Sequence, residues 1–135
     1  MTDRTADAPA TRTILIVEDN EKNMKLVRDI LRHQGHATIE ATTGGDGVRL
    51  ASERRPDLIL MDIQLPDMNG IEALRLIRTD HALDGVAVIA VSASVMPEDQ
   101  QKIVASGFDA FVTKPINLKA FVDTVRRHLG GRVPP

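Results

Sequence analysis

Asp57-Leu58-Ile59-Leu60-Met61-Asp62 is a run of four apolar residues held between two carboxylates. An unbroken apolar run of this length, with no alternation, suits a strand covered on both faces, as in a parallel sheet. Upstream, Thr13-Ile14-Leu15-Ile16-Val17 has the same character and stops at Glu18-Asp19-Asn20. Downstream, Val86 to Val91 is apolar throughout and ends at Ser92, and Ala110 to Val112 runs into Thr113-Lys114-Pro115. A weaker run, Ala37 to Ala41, follows the first.

Between these runs the apolar residues recur at helical spacing. Asn20 can cap a first helix carrying Met24, Val27, Ile30 and Leu31, with Gly35 as its stop. Thr43 can cap a second through Val48, Leu50 and Ala51, although glycines at 44, 45 and 47 leave its start open. Pro66 and Asn69-Gly70 mark a loop before a third helix with Ile71, Leu74 and Ile77. Pro97 suits the first position of a fourth, which Gly107 stops. Asn117 can cap the last, where Leu118, Phe121, Val122, Val125 and Leu129 form one stripe, with Phe121 read as core. Five strands alternating with five helices predict an α/β fold with a doubly wound parallel sheet. The domain is expected over residues 13–129, with loose tails at 1–12 and 130–135.

The composition narrows the function. A chain of 135 residues with 42% hydrophobic and 27% charged residues fits one globular domain. With three Phe and neither Trp nor Tyr, there is almost no material for a base-stacking platform. A net charge of −2 supplies no electrostatic footprint for nucleic acid or an anionic membrane. No run is long enough to span a bilayer, and no secretory signal opens the chain. The absence of Cys excludes disulfides, thiolate metal sites and a Cys nucleophile, and a cytoplasmic location is expected.

Ligands of doubly wound sheets bind outside the carboxyl ends of the strands. The residues there are Glu18 and Asp19 after the first strand, Asp62 after the third, Ser92 after the fourth and Lys114 after the fifth. Taken singly, each has a plainer reading: a capping carboxylate, a turn residue, a strand-end hydroxyl, a surface lysine. Together they put three carboxylates, a hydroxyl and an ammonium at one edge. At an effective dielectric of about 20, two unit charges ~4 Å apart repel by about 4 kcal/mol, so protonation or a cation must relieve the cluster. Oxygen donors without His or Cys favour Mg²⁺ over Zn²⁺. Such a site suits phosphoryl transfer, with one carboxylate as nucleophile. Asp62, from the middle of the chain, is the expected acceptor.

The segments ILIVEDN (14–20), DLILMDIQLPDMNG (57–70), AVSAS (90–94) and FVTKPI (111–116), in this order, resemble the receiver domain of bacterial two-component response regulators. The resemblance spans Thr13 to Leu129. EDNEKNMKL beside MDIQLP is similar to the DivK type of stand-alone regulator and to receivers of hybrid histidine kinases. It implies a flavodoxin-like (βα)5 fold with strand order 2-1-3-4-5. It implies that Asp62 accepts a phosphoryl group from a phosphohistidine of a histidine kinase or histidine phosphotransfer protein. Asp19, Asp62 and the backbone carbonyl of Gln64 would hold Mg²⁺ directly, and Glu18 through water. Lys114 would pair with the phosphoryl oxygens, Ser92 and Phe111 would act as the switch pair, and the Lys114–Pro115 bond would be cis. The fourth helix, fifth strand and fifth helix would present the face for a downstream protein. Glu18, Ser92 and Asn69 stand where Asp, Thr and Asp are frequent, and none of these departures removes a chemical role. Gln64 and Ser94 are expected to tune hydrolysis of the phosphoryl group.

Short flanks leave no room for an output module, so a stand-alone switch rather than a metabolic enzyme is expected. A phosphatase of the haloacid-dehalogenase kind would want a second Asp two residues after the nucleophile, where Gln64 stands. A flavin module would want a phosphate loop where Glu18-Asp19 would repel phosphate. A passive docking module would have no use for the intact polar set.

Overall fold

Alternate residues of a strand face opposite sides of its sheet, so a run that is apolar at every position needs a core on each side. The computed structural model, which describes residues 12–130, has both. The strands are β1 (Thr13–Val17), β2 (Ala37–Ala41), β3 (Leu58–Asp62), β4 (Ala87–Ser92) and β5 (Ala110–Thr113). The helices are α1 (Glu21–His33), α2 (Gly44–Arg54), α3 (Gly70–Ile77), α4 (Pro97–Ala105) and α5 (Leu118–His128). All strand pairs are parallel, in the order β2-β1-β3-β4-β5. Leu15, Val17, Ile59, Met61, Val88 and Ala90 face a core closed by α2, α3 and α4 through Ala51, Leu74, Ile77 and Ile103. Their neighbours Ile14, Ile16, Leu58, Leu60 and Ile89 face a second core closed by α1 and α5 through Val27, Leu31, Phe121 and Val125. This is the doubly wound flavodoxin-like architecture.

The helix starts follow their caps. Asn20, Thr43 and Asn117 each accept from the backbone N–H three residues on, at 3.0, 3.1 and 2.9 Å. Asn69, read from sequence as a turn residue, also caps a helix: its Oδ1 accepts from Ile71 N at 2.7 Å. Pro97 opens α4, and Gly35 and Gly107, with φ of 93° and 106°, follow the ends of α1 and α4.

The structure differs from the sequence reading in further places. Leu118 is 60% exposed rather than part of the core stripe, because it opens α5 at the strand-end edge and lines a groove beside α1. A 3-10 turn, His81–Leu83, was not expected; it buries Leu83 under the sheet. β4 begins at Ala87 and includes Ser92, one residue later at each end than the apolar run. Residues 1–11 and 131–135, expected as tails, lie outside the described residues. Arg12, assigned to the first tail, is tied down: its Nη1 donates to Leu129 O at 2.8 Å, at the edge where β1 begins.

Candidate functional site

Because the strands are parallel, their carboxyl ends share one edge. Asp62 is the last residue of β3, at the centre of the sheet, with β1 on one side and β4 on the other. Its side chain is buried; Oδ1 accepts from Gln64 N at 3.1 Å and Oδ2 from Lys114 Nζ at 3.0 Å. Glu18, just beyond β1, is buried as well: Oε2 accepts from Asn20 N at 3.1 Å, and Oε1 lies 3.0 Å from the same ammonium. Lys114 therefore bridges two buried carboxylates. Its backbone N donates to Ser92 O at 2.8 Å, which ties the ends of β4 and β5 together. Asp19 is exposed, yet one carboxylate oxygen each from Glu18, Asp19 and Asp62 lies within 4.8 Å of the others.

Ser92 is buried and lines the same cleft as Asp62, Gln64 and Lys114, a volume of about 230 Å³. Its Oγ accepts from Ser94 N at 3.1 Å. The loop after β3 is pinched at its base, where Gly70 N donates to Ile63 O at 2.8 Å and Gln64 pairs with Asn69. The Lys114–Pro115 peptide is cis. Phe111 stands apart from the cleft. It is half-buried and lines a groove beside α4 with Pro97, Gln101 and Val104.

The electrostatics follow from burial and proximity. Burial, and then the hydrogen bond with Asp62, push the Glu18 carboxyl above its ordinary value, against the opposing pull of Asn20 N–H and Lys114. Burial pulls the Lys114 ammonium down, but its hydrogen bonds to Asp62 and Glu18 outweigh this and leave it raised. Three carboxylates against one ammonium leave an excess of negative charge. The donors are oxygens, with no His or Cys among them, so the cluster fits a hard divalent cation such as Mg²⁺.

Every strand-end residue singled out in the sequence reaches this edge. Two further charged residues of the cleft, Asp99 and Lys102 of α4, carry no local signal: an acidic residue in a first turn reads as a partner of the helix dipole, and a lysine in a last turn likewise. Asp99 Oδ2 accepts from Ser94 Oγ at 2.6 Å. A larger cavity, about 910 Å³, lies elsewhere, between α1 and α5, lined by Ile30, Leu118 and Val122. The charged groups, not the volume, mark the smaller cleft as the site.

Comparison with known proteins agrees with this geometry. The chain is 43% identical over 120 residues to the polar-differentiation response regulator DivK of Brucella ovis, covering 89% of this chain and 98% of that protein. The Brucella anthropi protein of the same name is 44% identical over 119 residues, covering 88% and 97%. Among solved structures, the receiver domain of sensor histidine kinase PA1611 from Pseudomonas aeruginosa superposes with a TM-score of 0.83 at 31% identity, covering 90% of this chain and 99% of that one. That structure has a magnesium ion coordinated in its active site cleft. A CheY-like receiver from Methanospirillum hungatei gives a TM-score of 0.79 at 28% identity, covering 90% and 95%. The family model of the response regulator receiver domain matches residues 14–126. With a five-stranded parallel sheet whose carboxyl edge holds an acidic cleft bridged by Lys114, the chain belongs to the response regulator receiver domain family, whose members are signalling switches.

Proposed function

We propose that this chain is a phosphoryl-accepting switch of a two-component phosphorelay, working in the cytoplasm, with residues 13–129 as the receiver domain. The observation that carries this reading is the Lys114 ammonium 3.0 Å from both Glu18 and Asp62, beside the buried Ser92 hydroxyl. Asp62 is the acceptor. A carboxylate oxygen bonds to phosphorus as the bond from phosphorus to the donor histidine nitrogen breaks; the electron pair stays with the imidazole, and an acyl phosphate forms. Lys114 then shifts its hydrogen bond from the carboxylate to a phosphoryl oxygen, and Ser92 donates to another.

Glu18, Asp19, Asp62 and the Gln64 carbonyl are the groups that would hold Mg²⁺. When bound, the ion offsets charge on the transferring group. Ordering of Ser92 toward the phosphoryl group biases a pre-existing equilibrium of the loop after β4, with Phe111 following. The signal leaves by protein contact. Exposed Val104 beside Phe111, with Val95 and Met96 exposed just ahead of α4, supports the face of α4, β5 and α5 as that surface. The donor is a histidine kinase or histidine phosphotransfer protein.

Incubation with acetyl phosphate and Mg²⁺, followed by intact mass, tests the reading. One phosphate adduct is expected on the wild type and none on Asp62→Ala. An unmodified wild type, or an undiminished adduct on the variant, overturns it.

A further inference from the structure

The three glycines at the start of α2 do not serve the helix, since glycine weakens a helix interior. Gly47 makes room for Val17 of β1, and Gly44 and Gly45 serve the loop after β3. A Cβ on Gly44 would lie 2.5 Å from Met68 Cγ, and one on Gly45 would lie 3.3 Å from Asp67 Oδ2. The tip of that loop presses on the opening of α2, and Asp67 makes the joint. Its Oδ1 accepts from Gly44 N at 2.7 Å and its Oδ2 from Gly45 N at 2.9 Å. Both oxygens thus satisfy backbone donors that a helix leaves unpaired at its N-terminus, and the helix dipole favours the negative charge there. The Gly45 and then the Gly44 amide hold the Asp67 carboxyl below the usual carboxylate range.

The loop is then fixed at two points. Its base is pinched by Gly70 N on Ile63 O and by the pairing of Gln64 with Asn69; its tip is held by Asp67. Gln64 belongs to the base, with its backbone N on Asp62 Oδ1, and Asp67 at the tip follows it three residues later. We propose that Asp67 is a positioning residue for the cation site: by clasping the N-terminus of α2, it sets the Gln64 carbonyl relative to Asp62. This rests on the reading that a divalent cation sits among Glu18, Asp19, Asp62 and Gln64. Asp67 itself touches neither the cation nor the phosphoryl group.

The test is a Mg²⁺ titration of isotope-labelled protein, read at the amides of Gln64 and Asn69, with thermal unfolding alongside. Asp67→Ala is expected to weaken Mg²⁺ by about tenfold, the scale on which outer groups tune a metal site. Asp67→Asn, which keeps one acceptor oxygen, is expected to fall between the two, and serves alone if the alanine variant does not fold. Phosphorylation by acetyl phosphate at saturating Mg²⁺ is expected to stay within about twofold of wild type. Mg²⁺ affinity within twofold of wild type in both variants, even with a lowered Tm, makes Asp67 a helix cap only and overturns the inference. A wild type with no saturable Mg²⁺ response overturns the cation-site reading itself, a result distinct from the first.

Discussion

Lys114 is the residue on which the cleft depends. Its ammonium is bonded to both buried carboxylates, Glu18 and Asp62, at once. Glu18 records the residual strain. Its carboxyl is raised above the unfolded value of about 4.3. Between that value and its folded one, the native state binds the extra proton, so folding stability from this group falls as pH rises through the window. Below about 4.3 Glu18 is neutral in both states and its cost is gone; above the folded value the cost is complete. A cation wants the charged form, so its affinity moves the opposite way. Mg²⁺ affinity measured by titration calorimetry is expected to be several-fold weaker at pH 5 than at pH 7.5, and Glu18→Gln is expected to flatten that difference. The strand-end position of these groups was legible in the sequence because each follows an apolar run. The sharing of one ammonium between two carboxylates was not, since 52 residues separate Asp62 from Lys114.

At the scale of elements, β1, β3 and β4 were legible because a strand buried on both sides leaves almost no polar position to confuse the reading, whereas the edge strand β2, with exposed Glu40, read more weakly. The helices were legible through Asn20, Thr43, Pro97 and Asn117, which act locally. The order of strands was not: alternation and crossover handedness left several doubly wound orders, and only the motif resemblance chose among them. The glycines of α2 were visible as an anomaly, but their reason lies across the fold in Asp67 and Met68, and in Val17, 2.7 Å from where a Cβ on Gly47 would stand. Gly70 is a similar case. A Cβ there would collide with the backbone oxygen of Asp62 and lie 2.9 Å from Ile63 Cα. Backbone cannot swing aside as a side chain does. Gly70→Ala is expected to cost about 1–3 kcal/mol in denaturant unfolding, and to shift the amide signals of Asp62 and Gln64 more than those of β2.

Over the whole molecule, two cores share one sheet. Phe121, Val125, Val27 and Leu31 close one of them, and Phe121 is among the largest fully buried side chains. Phe121→Ala is expected to cost about 3–5 kcal/mol, measured by denaturant unfolding. The cleft draws on β1, β3, β4 and β5, so loosening either core blurs it; Phe121→Ala is expected to weaken Mg²⁺ binding less than it weakens the fold. At the edge opposite the cleft, the Arg12 side chain holds Leu129 O, so the described backbone begins and ends within one arginine's reach. Entry and exit on the same side of the sheet let such a domain be spliced into a loop of a larger polypeptide, or closed into a ring by a linker, with the reactive edge pointing away from the splice.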